Sequence, residues 1–170
     1  MNAATENILR DLALRAHLAD RQAPERMAGW RYRSFAALLL AEGRLFTPGV
    51  GSTVDVPEHH QGATGTCYVS AALWSMASGL AYVEGYSSVF EPMPTEHAWC
   101  SGPAGRALDP TWTEPGLAYI GLPVSAEYRR SCREVALLAP HPAGLALLQY
   151  GLPDEIRADV GRPLPAILPV

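Results

Sequence analysis

The chain reads as an α+β domain, and two observations carry that expectation. Tyr68 to Leu80 (YVSAALWSMASGL) is small and apolar nearly all round, as a centrally buried helix requires. Three later segments, Ala81 to Phe90, His97 to Cys100 and Tyr119 to Val124, are rich in aromatic and β-branched residues and read as strands. The order is a helix followed by antiparallel strands.

With 170 residues, 48% of them hydrophobic, the chain is long enough to bury a core without a metal or disulfide staple, and 1–170 reads as one domain. Its helical N-terminal part, residues 1–50, starts with an amphipathic helix over 4–20 that puts Ile8, Leu12 and Leu18 on one stripe. A second helix spans Ser34 to Gly43, capped by Ser34 and closed by Gly43. Thr47 to Gly65, rich in Gly, Pro and polar residues, reads as a surface loop. It delivers the chain to Cys67, the start of the central helix, which Gly79 can end. Residues 61–124 form the expected core. The remainder, 125–170, reads as a helical cover with one helix around Ala126 to Ala136 and a shorter one near Gly144 to Tyr150.

A net charge of −4 opposes non-specific attraction to nucleic acid or anionic membranes, so neither is an expected partner. The longest apolar run, Phe35 to Ala41, is too short for a transmembrane span. Cys67, Cys100 and Cys132 have no framework spacing and the amino terminus lacks a basic-then-apolar signal, so a cytoplasmic location is expected. All 13 basic residues are Arg; no Lys is present. GC-rich coding explains this, and so does avoidance of self-acylation by an enzyme carrying an activated acyl group.

The chemistry is expected at Gln61-Gly62-Ala63-Thr64-Gly65-Thr66-Cys67, which sets a thiol behind a glycine-containing loop at a helix start. Free N–H groups and the dipole there favour a thiolate and can donate to an oxyanion. The Gln61 amide offers a second donor from the loop. Further on, Glu96-His97-Ala98-Trp99 and Arg106-Ala107-Leu108-Asp109-Pro110 flank a turn and read as a hairpin. A three-residue tip, Gly102 to Ala104, sets His97 directly opposite Asp109, where the carboxylate can fix the imidazole tautomer. Cys67, His97 and Asp109 then form a nucleophile, a base and an orienter.

QGATGTCYVSA resembles the nucleophile segment of papain-like cysteine peptidases. The order Cys67, His97, Asp109, with EHAW and DPTW and a compressed spacing, looks more like the transglutaminase-like branch of that superfamily. The resemblance implies a papain-like/transglutaminase-like core, in which a helix with an N-terminal Cys packs on an antiparallel sheet. It assigns Cys67 as nucleophile, His97 as general base and acid, Asp109 as the orienting carboxylate and Gln61 as oxyanion donor. The expected activity is acyl transfer on a peptide, protein or small amide or ester through a thioester, without a cofactor. Peptidase or amidase, deamidase and transferase outcomes stay open, and a non-catalytic peptide-binding module on the same fold is the alternative.

Other clusters carry less. His59 and His60 beside Glu58 point in different directions, and no metal is expected. Cys100 falls on the strand face opposite His97 by parity, where core packing suits it. Cys132 lies between Arg130 and Arg133 with no base near it in sequence. Trp99 and Trp112 either shield the His97–Asp109 pair or pack the core; Tyr82, Tyr86 and Tyr119 receive no role.

Overall fold

In the computed structural model, residues 2–89 and 93–165 are described. They form a mixed α and β fold around a small closed barrel. Its strands are β1 (Arg44–Pro48), β2 (Ala81–Ser88), β3 (Thr95–Ser101), β4 (Arg106–Leu108) and β5 (Ala118–Val124), in the order β4-β3-β2-β5-β1. A parallel pairing of Thr47 and Pro48 with Arg106 and Ala107 joins β1 to β4 and closes the ring, while the other pairs within it are antiparallel. The short β6 (Arg162–Pro163) adds to the free part of β1.

Closure buries both sheet faces, which explains why every residue of β2 and β5 is buried. Alternation sends Val83, Trp99, Ala107 and Tyr119, with Phe46, into the barrel. It sends Tyr82, Tyr86, Ala98, Cys100, Ile120 and Leu122 outward against the helices. The interior is filled by aromatic rings, and Trp99 lies edge-on to Phe46 at 5.6 Å and to Tyr119 at 5.1 Å. Gly121 makes room for this packing, since a Cβ there would come within 2.7 Å of the Trp99 ring.

The covering helices are α1 (Ala3–Gln22), α2 (Phe35–Glu42), the one-turn α3 (Ser52–Asp55), α4 (Cys67–Ser78), α5 (Ala126–Ser131) and α6 (Pro142–Tyr150). Asn2 caps α1, Ser34 caps α2 through the Ala37 N–H, and Gly79 ends α4 in the left-handed region at φ 75°. No described helix is long and apolar enough to cross a membrane.

Several expectations need correction. Leu18 is 46% exposed, because the buried side chains of α1 (Ala4, Thr5, Ile8, Leu9 and Leu12) all lie in its first half. The segment expected as an open loop from Thr47 holds the end of β1 and α3; β1 draws its stability from non-local pairing that local composition does not encode. Helix α4 is not buried all round, for Val69 and Leu73 face outward at 48% and 58% exposure. Helix α5 stops at Ser131 rather than Ala136, since the following backbone turns to give its Glu134 and Val135 carbonyls to the buried Arg129 guanidinium. Phe90, the end of the first predicted strand, lies outside the described residues.

Candidate active site

Cys67 is the first residue of α4, which lies against β3; the Cys100 thiol binds the Ala71 carbonyl at 3.2 Å across that contact. This packing brings the helix start to the end of β3 where His97 sits. Cys67 is 7% exposed and His97 and Asp109 are each 2% exposed.

The β3–β4 register differs from the expected one. Gly102 to Gly105 form a turn closed by a 3.0 Å bond from Gly105 N–H to Gly102 O, with Pro103 second in the turn and Gly105 left-handed at φ 65°. Gly105 O then accepts from Thr47 N–H, and Arg106 pairs with β1. Ser101 consequently opposes Ala107 rather than Gly105. The shift is two residues, so parity survives and His97 and Asp109 stay on one face, now as diagonal neighbours.

His97 Nε2 and Asp109 Oδ2 are 2.6 Å apart. The same oxygen accepts from the Tyr119 hydroxyl at 3.1 Å, and that hydroxyl accepts from Gly116 N–H at 2.7 Å. Asp109 Oδ1 accepts from Thr111 N–H, Thr111 Oγ1 and Trp112 N–H at 2.9, 3.1 and 3.1 Å. The carboxylate is thus fixed on both oxygens by its own DPTW turn and by β5.

With Nε2 committed to Asp109, Nδ1 is the nitrogen left for Cys67, and the thiol and the imidazole each shift the other's pKa. Burial pushes the Cys67 thiol up, but the neighbouring His97 imidazole, with the Ala98 and Tyr68 N–H groups, outweighs it and lowers the net value. Burial pulls His97 down, yet Asp109 and Cys67 raise it from 6.5 to about 9. Both directions favour a thiolate–imidazolium pair. The Trp112 ring stacks on the imidazole at 3.8 Å and 13°, with Trp99 beyond at 6.2 Å. An imidazolium gains from that aromatic face.

Of the four residues expected in the site, the fold brings Cys67, His97 and Asp109 together. Gln61 differs in its contacts: its Nε2 donates to the Ser52 and Val56 carbonyls at 3.2 and 3.0 Å, so both N–H groups are engaged. The strand of chain beside it does run along the site, since Gly62 N–H donates to Pro110 O at 2.8 Å. The N–H groups of the first turn of α4 have no intrahelical acceptor and remain the nearest oxyanion donors by position.

Tyr119 had no assigned role, and it touches Asp109 because the barrel closes; no local pattern in the sequence signals that. Trp112 had both readings open, and its ring lies on the imidazole. Cys100 is packed outside the barrel, and burial raises its thiol pKa. The Cys132 thiol donates to Tyr128 O at 3.3 Å. The His59 and His60 rings lie tilted against each other at 4.1 Å, His60 stacks over Trp74 at 6.1 Å, and among the described residues no three His, Cys, Asp or Glu side chains group as a metal site would need.

No protein-family model matches this chain, and no curated protein or solved structure matches it.

Proposed function

We propose that the protein is a cysteine-dependent enzyme that transfers an acyl group from an amide or ester through a thioester on Cys67. One observation carries the reading: a buried thiol at the start of α4 has its pKa lowered by an imidazole whose Nε2 meets a carboxylate braced on both oxygens at 2.6 Å. A core packing role needs none of these three polar groups, and burying them costs free energy unless each is paired.

In the proposed reaction the Cys67 thiolate attacks the carbonyl carbon and the carbonyl electron pair moves to oxygen. First-turn N–H groups of α4 hold that oxyanion. The electron pair returns, the C–N or C–O bond breaks, and His97 Nδ1–H protonates the leaving group. Asp109 keeps its proton partner on Nε2 throughout, which leaves Nδ1 as the working nitrogen. Water or an amine, deprotonated by His97, then attacks the thioester and releases Cys67. We assign the barrel and α4 to a papain-like core of the transglutaminase-like branch, on the residue pattern that carries the resemblance. The free thiol this chemistry needs suits a reducing cytoplasm.

Turnover of a panel of amides and esters tests the proposal. Activity is expected to be lost to iodoacetamide and in Cys67→Ala and kept in EDTA. Activity that survives in Cys67→Ala overturns it.

A further inference from the structure

The chain segments that carry the two reacting groups each contribute their neighbouring residue to one small cavity. Tyr68 follows Cys67 and Glu96 precedes His97; both line a cavity of about 70 Å³ together with Glu84 and Tyr86 of β2 and Phe35 of α2. The site mechanism uses none of these five side chains.

Three aromatic rings and two carboxylates around a space of that size match one ligand chemistry. Ring faces attract cations, and a carboxylate adds a charged partner at short range. The phenols of Tyr68 and Tyr86 are both pushed upward, chiefly by burial, so they stay neutral; burial pushes the Glu84 carboxyl up as well, which leaves the cavity's charge chiefly to Glu96. Glu84 is buried and its oxygens accept from Tyr82 OH, Leu137 N–H and Leu138 N–H, which makes it a fixed wall. Glu96 is exposed at the rim, with Oε1 accepting from Tyr86 OH at 3.0 Å, and its charge is the one an entering group meets.

A cation already rests on this wall. The Arg15 guanidinium of α1, held by Asp11 at 2.5 Å, lies 5.5 Å from the centre of the Tyr86 ring. Arg15 is not among the residues that line the cavity.

We infer that this cavity receives a cationic group of the substrate, an ammonium or a guanidinium, while the substrate carbonyl meets Cys67. The inference rests on the proposed function and adds its specificity: the preferred amides or esters carry a positive charge close to the reacting carbonyl. A neutral substrate of equal size gains nothing from the Glu96 charge beyond the bond that carboxylate already makes to Tyr86.

Charge-matched thiol reagents test this without a known substrate. Aminoethyl, hydroxyethyl and sulfonatoethyl methanethiosulfonates each form a mixed disulfide with a thiolate and expel methanesulfinate. Rates at Cys67 are read by peptide mapping and divided by the rates with free cysteine. The expected result is a preference for the ammonium reagent over the neutral one of about tenfold, with the sulfonate slowest. The preference should collapse in Glu96→Gln and persist in Glu127→Gln, an exposed carboxylate on α5. Equal normalised rates, or a preference that survives Glu96→Gln, overturn the cavity assignment and leave the nucleophile standing. A Cys67 no more reactive to iodoacetamide than Cys132 overturns the proposed function and this inference with it. Protection of Cys67 from iodoacetamide by N-acetyl-lysine amide or by N-acetyl-arginine amide tells which cation fits. Protection no better than that of N-acetyl-norleucine amide again counts against a cation site.

Discussion

Replacing Asp109 by Asn exchanges one oxygen for an NH₂ and should reverse the proton order of the whole site. The Oδ1 position is met by three donors, Thr111 N–H, Thr111 Oγ1–H and Trp112 N–H, so the Asn carbonyl must stay there. The NH₂ group then faces His97 Nε2 and donates to it. That forces the imidazole proton onto Nδ1, where it opposes the thiol proton instead of accepting it. His97 is held at about 9 against an ordinary 6.5, and two and a half pKa steps correspond to about 3 kcal/mol. Loss of most of that support should lower the Cys67 thiolate population at pH 7 by about tenfold to a hundredfold, the limit an ordinary thiol sets. The assay is the rate of Cys67 alkylation by iodoacetamide between pH 5 and 10, read by peptide mapping, with calorimetry as the check on folding. Asp109→Asn should move the profile toward that of an ordinary thiol. A folded variant whose profile matches the parent within about twofold would refute the ion-pair reasoning.

Other outcomes follow from the same contacts. Tyr119→Phe leaves the buried Gly116 N–H without its acceptor and removes one donor from Asp109; it should cost about 1–3 kcal/mol of stability by thermal unfolding while Cys67 still labels faster than Cys132. Gln61→Ala removes two bonds to backbone carbonyls and should lower stability by about 1 kcal/mol. A loss of about 2.7–4 kcal/mol of transition-state stabilisation with unchanged melting would instead restore Gln61 as an oxyanion donor. Because the His97 pKa is raised, its contribution to stability is full below pH 6.5 and is lost as pH rises through about 9. The stability gap between the parent and Asp109→Asn, followed by denaturant titration, should therefore narrow across that window.

The site was legible in the sequence where local rules decide it. A Cys behind a glycine loop, a helix ended by Gly79, and parity between His97 and Asp109 are all short-range facts, and parity outlasted a two-residue error in register. What escaped depends on chain closure. Arg44 to Pro48 becomes a strand only because β4 and β5 lie on its two sides, and the same closure brings Tyr119 onto Asp109. The β3–β4 register turned on Gly105, whose carbonyl serves β1, a competitor invisible from the hairpin alone. For Gln61, the carbonyls of Ser52 and Val56 claim the amide, and the sequence placed both in a loop whose path it did not describe.

The claim that Cys67 carries the acyl group is tested most directly by intact-mass spectrometry after brief exposure to activated acyl esters, followed by peptide mapping. The absence of Lys removes the usual amine background from this measurement. The account predicts one acyl adduct, on Cys67, released by hydroxylamine as a thioester should be and absent from Cys67→Ala. Acylation spread over other residues, or an adduct pattern unchanged in Cys67→Ala, would contradict it.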